Sequence, residues 1–114
     1  MSRDDERARR IGVNEAVFRA VNERLSDLEQ RFHVSAGDFE LVCECGDAEC
    51  TDRIRVEQPD YEELRADPRL FAVVQGHEEA DVEQVIERRG AYDVVRKREG
   101  VPTQVAAQTD TRSG

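Results

Sequence analysis

The chain reads as an α+β protein: a long N-terminal amphipathic helix packed on a small antiparallel sheet. Three observations predict it. Apolar residues recur at helical spacing through the first thirty positions, short segments of alternating apolar and polar residues follow, and the only three cysteines fall in the connection between two of those segments.

Residues 4–31 are predicted as the helix. Ile11, Phe18, Val21, Leu25, Leu28 and Phe32 recur at spacings of about three and four, with Asn14 on the same stripe. Glu15, Arg19, Glu23, Arg24, Asp27 and Arg31 define the opposite, charged face, with Glu15–Arg19 and Asp27–Arg31 at i,i+4. The expected use of the stripe is to cover the protein's own sheet. The second use is a homodimer through the N-terminal helix, with Asn14 setting register as buried polar residues do in zippers.

Ser35 to Asp38 reads as a loop. Phe39 to Cys43 and Arg53 to Glu57 alternate and are predicted strands. Gln58 to Arg65 starts a short helix, with Pro59 at its first turn and acids beside it, and Pro68 sets its end. Leu70 to Val74 returns as a strand that carries Gly76 and His77 back toward the cysteines. Val82–Glu87 and Tyr92–Arg96 are rich in Val and Ile and are assigned to a hairpin turning at Gly90, in preference to a two-turn helix capped by that glycine. From Glu99 onward Gly, Pro, Thr, Gln and Ser take over, which predicts a disordered tail. The division expected is a polar extension of the helix over 1–10, one α+β metal-binding domain over 11–98, and a tail over 99–114.

The cysteines stand in Cys43-Glu44-Cys45-Gly46-Asp47-Ala48-Glu49-Cys50. A disulfide between Cys43 and Cys45 is poor geometry, because residues i and i+2 of an extended chain lie about 6.5 Å apart. A reactive thiolate needs cationic neighbours, and here the neighbours are Glu44, Asp47, Glu49 and Asp52. A bound dication reverses that objection, since its charge deprotonates the thiols and welcomes carboxylates. C-x-C-x4-C with a distant histidine is therefore assigned as a zinc knuckle of Cys43, Cys45, Cys50 and His77, with Gly46 supplying the permissive backbone for the reversal. The fourth position is the weakest of the set: His33, a carboxylate such as Asp47, or water compete with His77. Water there would make the site catalytic rather than structural. His77-Glu78-Glu79 contains H-x-E, but the deaminase signature needs P-C-x-x-C downstream, and these cysteines lie upstream.

Seventeen Lys and Arg stand against 26 Asp and Glu, a net charge of −9, which disfavours nucleic acid and anionic membrane as partners and favours a basic protein partner. The N-terminus has no apolar signal region, no stretch approaches membrane-spanning length, and metal-binding rather than disulfide cysteines suit a reducing cytoplasm. Phosphate-loop, dinucleotide and nucleophile-elbow motifs are absent. Acid pairs such as Glu62–Glu63 and Glu78–Glu79 belong to the solvated surface of a chain that is 38% charged.

Asn14 to Glu23, Val42-Cys43-Glu44-Cys45 through Cys50, and Gly76-His77, in this order, resemble a group of short proteins from high-GC actinobacteria. The likeness spans roughly residues 11–97, and the cysteine pattern with a later Gly-His is its most specific part. The resemblance implies a bacterial cytoplasmic protein and brings no activity with it. The function expected is a small non-catalytic zinc-binding protein acting through protein contacts. A thiol sensor that releases zinc on cysteine oxidation, and a zinc hydrolase with an open coordination position, are the alternatives.

Overall fold

In the computed structural model, which describes residues 3–32 and 38–110, α1 spans Arg3–Phe32 and β1 Asp38–Val42. β2 (Arg53–Glu57) pairs antiparallel with β1, Leu41 opposite Ile54 and Phe39 opposite Val56. α2 (Gln58–Leu64) follows directly, with Pro59 at its start and no Pro or Gly in its interior. β3 (Leu70–Val73), β4 (Glu83–Arg88) and β5 (Asp93–Lys97) form a second antiparallel sheet in the order β3-β5-β4. The chain closes with α3 (Val101–Gln108).

The predicted hairpin over 82–96 is present. It turns through Gly90 at φ +80°, a conformation that glycine alone adopts without strain, and a bulge between Val85 and Glu87 shifts its register. Both faces of β3 and of β5 as far as Val95 are buried, which explains their continuous apolar runs, whereas β4 beyond Glu83 and Arg96 of β5 are more exposed. Ala72 and Val94 face Phe39, Leu41, Ile54, Val56, Tyr61 and Leu64 of β1, β2 and α2. Phe71, Val73 and Val95 face Ala106 of α3 and the side chains of Cys43 and Cys45.

Two expectations are corrected. Residues 99–114 are not wholly a tail, because 101–108 form α3. Gly100 at φ +96° breaks the chain, Pro102 opens the helix, and Val105 and Ala106 are buried, Val105 so close to Gly12 of α1 that a Cβ there would meet its Cγ1 at 2.7 Å. Residues 111–114 lie outside the described residues.

The second correction concerns α1, whose buried side is not the apolar stripe. Glu15, Arg19, Asn22, Ser26 and Glu29 are buried with Ala8, Ile11 and Gly12. Of the predicted stripe, Ile11 is buried and Phe18 and Leu25 are half-buried, while Val21, Leu28 and Phe32 are exposed. The inward polar groups each reach a partner. Arg19 donates to the carbonyls of Pro68 (2.8 Å) and Ala106 (3.0 Å) and lies over the Phe71 ring, its guanidinium carbon 4.6 Å from the centroid. Lys97 Nζ donates to Glu15 at 2.6 Å and to Glu83 at 2.9 Å, all three side chains fully buried. Ser26 donates to Glu62 at 2.7 Å, and Arg65 is held by Glu23 and Asp110.

Candidate metal centre

The site forms where the two sheets meet. Beyond β1, the Cys43 N–H donates to Asp52 O (2.9 Å), extending the hairpin by a rung, and the next N–H, from Glu44, donates to Ala72 O on β3 (2.8 Å). The strand thus crosses from one sheet to the other at the cysteines, so Cys43 and Cys45 point to one side and Glu44 to the other. The loop then reverses. Asp47 Oδ1 accepts from Glu49 N (2.9 Å), and Cys50 N donates to Asp47 O (3.0 Å), which returns Cys50 to the other two sulfurs.

Gly46 serves this loop differently from expectation. Its φ does not lie in the positive region, which among the described glycines holds Gly76, Gly90 and Gly100. A Cβ on Gly46 would sit 2.5 Å from Ile11 Cγ2, so the glycine lets the loop lie against α1. Asn14, on the same side of the helix, donates to Gly46 O at 2.9 Å. The asparagine that suggests a zipper register pins the cysteine loop instead.

The fourth donor comes from the end of β3. Gly76 at φ +88° turns the chain, His77 N donates to Val74 O (2.9 Å), and the imidazole swings over the thiols. His77 Nδ1 lies 3.5 Å from Cys43 Sγ and 3.7 Å from Cys50 Sγ. Ligand atoms of Cys43, Cys45, Cys50 and His77 all fall within 4.8 Å of one another. A tetrahedral ion with bonds of about 2.3 Å to sulfur and about 2.0 Å to nitrogen would separate S from N by about 3.5 Å and S from S by about 3.8 Å. The four residues are positioned to hold a metal ion. Asp47 spends its carboxylate on the turn, and His33 lies outside the described residues.

The surroundings suit an ion. His77 Nε2 faces Asp52 Oδ2 at 3.4 Å, the carboxylate–imidazole arrangement that fixes the tautomer and leaves Nδ1 free to ligate. Val74 N donates to Cys43 Sγ at 3.2 Å, a contact that favours thiolate. Without an ion the three thiols compete for one negative charge. The Cys43 thiol, hydrogen-bonding to Cys45, brings the latter down to about 5, and Cys43 is itself raised, first by that bond and then by burial. Burial also raises Cys50. A cation among the sulfurs is what would let all three ionise together. A cleft of about 200 Å³ beside the site is lined by Cys45, Asp47, Gly76, His77, Glu78 and Glu79.

Glu44 is the part of the site that sequence reasoning misread. Counted there among the acids that hold protons on the thiols, it is fully buried and faces away from them. Asn22 Nδ2 (2.8 Å), Tyr61 OH (2.6 Å) and Ala72 N (3.0 Å) all donate to its carboxylate. Burial raises its pKa, with those three bonds pulling the other way. Asn22 also pairs with Val42 through both its amide nitrogen (2.7 Å) and its oxygen (2.8 Å). Asn14 interrupts the apolar helix stripe, a position where a side-chain amide must satisfy backbone, but Asn22 lies off that stripe, with Glu15, Arg19 and Ser26, and carried no such signal.

No family model, curated protein or solved structure matches the chain. Among the described residues no helix is long and apolar enough to cross a membrane.

Proposed function

We propose that the chain is a small zinc-binding protein in which the metal is structural and the work is done by protein contact. The observation that carries the reading is the closed donor set: three cysteines and one histidine, from two separate segments, whose ligand atoms lie within 4.8 Å of one another. Thiolates with an imidazole favour zinc over oxygen-seeking ions, and four protein donors fill a tetrahedron without the open position that hydrolysis needs. The ion would staple the cysteine loop to the end of β3. Native mass spectrometry with elemental analysis tests this on wild type, Cys45→Ser and His77→Ala. One zinc in wild type, weakened in both variants, is the expected result; a wild type that folds and stays metal-free overturns it.

The outer face of α1 supports the contact role. Val13, Val17, Val21, Leu28 and Phe32 are exposed along it, Val17 at 58% and Phe32 at 67%. From Arg9 to Phe32 the exposed charged residues are all arginines: Arg9, Arg10, Arg24 and Arg31. Half-buried Asp27 pairs with Arg31 at 3.4 Å. In a chain of net charge −9 this is a local exception, and although the total charge favours a basic partner, this face suits an apolar segment flanked by acids. A labelled amphipathic Leu/Glu helical peptide should bind with salt-dependent affinity, lose at least about tenfold on Val17→Asp, and outcompete its Leu/Lys counterpart. Self-association without peptide binding, or preference for anionic vesicles, refutes the acidic-protein assignment.

A further inference from the structure

The end of the three-stranded sheet remote from the cysteines carries a second feature. Arg96 stands on the central strand β5, opposite Leu70 at the start of β3 and Gln84 on β4, whereas His77 follows the far end of β3. Arg69, Gln84, Arg96, Lys97, Arg98 and Glu99 line a cleft of about 400 Å³ there. It shares no residue with the metal centre.

Three guanidinium groups converge on this cleft, and two are pre-aimed. Asp67 grips Arg69 through Nε (3.1 Å) and Nη2 (2.9 Å). Arg98 Nε donates to Ala80 O at 2.9 Å. Arg96 is exposed, and its guanidinium makes no hydrogen bond or ion pair among the described residues, although its charge reaches Asp67. Lys97 contributes backbone only, since its ammonium is turned to Glu15 and Glu83 on the opposite face. Glu99 is the single acid in the lining. Asp67 and Glu99 offset part of this positive charge, Asp67 acting on both Arg69 and Arg96, and the forked guanidinium donors left over match the oxygens of a tetrahedral anion.

We propose that this cleft binds the phosphate group of a small molecule, with Arg96 as the central ligand, Arg69 and Arg98 as flanking ones, and the Gln84 amide as a neutral donor. The site is independent of the metal. Its test is an NMR titration of the zinc-loaded full chain with inorganic phosphate at constant ionic strength, reading the arginine Nε–H and Gln84 amide resonances, with succinate as a parallel arm. Saturable shifts confined to Arg69, Gln84, Arg96 and Arg98, weakened at least about tenfold in Arg96→Gln while the remaining spectrum is unchanged, are expected. Shifts spread over Arg9, Arg24 and the other surface arginines, or an Arg96→Gln response equal to wild type, overturn the site. Succinate binding as tightly as phosphate overturns the phosphate assignment and leaves a carboxylate site.

Discussion

The Glu44 side chain ties the thiol loop to α1, α2 and β3. Replacing it by alanine would leave Asn22, Tyr61 and the Ala72 N–H with a buried acceptor missing, so Glu44→Ala should cost roughly 3 kcal/mol in urea unfolding of zinc-loaded protein. Glu44→Gln should cost less, because the Ala72 bond can survive. Glu15 makes a different prediction. It shares Lys97 with Glu83, so the buried triad holds two carboxyl groups for one ammonium, and its Oε2 has no partner. Burial, and then Glu83, raise its pKa well above the usual carboxylate range. A raised folded pKa means that the fold favours the protonated form. The stabilisation is complete below the unfolded glutamate value of about 4.3 and is lost as pH rises through the folded value. Glu15→Gln should therefore flatten the decline of unfolding free energy above pH 4.3, measured by denaturant titration across pH; an unchanged slope would place the proton elsewhere.

At the scale of elements, α1 is organised by what it must approach. Gly46 and Gly12 bring the cysteine loop and α3 within reach of the helix. Gly46→Ala drives a methyl into Ile11 and should cost about 1–3 kcal/mol, with weaker zinc retention. Ile11→Ala in the same chain should recover part of that loss, a coupling that a double-mutant cycle measures directly. The last helix is as necessary as the first. Truncation after Gly100 removes Val105 and Ala106 from the core and two of the acceptors of Arg19, the Ala106 carbonyl and the Thr109 hydroxyl. The shortened protein should melt several degrees lower and expose Phe71, read as increased dye binding. The sheet elements were legible because a strand's pattern depends on its own residues. β1, β2, β3 and the β4–β5 hairpin each alternate or run apolar within five or six positions, between turn residues that block continuation. α3 was not, since a single buried stripe of Val105 and Ala106 behind Pro102 looks like tail composition until α1 is there to cover it.

For the molecule as a whole, the metal centre shares one part of the apolar core and not the other: Cys43 and Cys45 pack with Phe71, Val73, Val95 and Ala106. The cluster around Leu41, Ile54, Tyr61 and Val94 contains none of the four donors. Chelation should therefore lower the melting temperature and loosen residues 43–52 and 74–79 in hydrogen exchange, while β1–β2 and the centre of β5 stay protected. Uniform loss of protection would mean that metal and fold form one cooperative unit. The sequence by itself determined the α+β class, the strand and α2 positions, and the candidate ligands Cys43, Cys45, Cys50 and His77, because periodicity and donor chemistry are properties of short segments. Only the tertiary structure decided which side of α1 turns inward, that Asp52 backs His77, and that Glu44 anchors the loop rather than opposing its charge. The physical reason is that a polar side chain can be buried only where distant residues supply its hydrogen bonds. For Glu15, Arg19 and Asn22 those partners lie 20 to 90 positions away, at Val42, Glu44, Pro68, Lys97, Ala106 and Thr109.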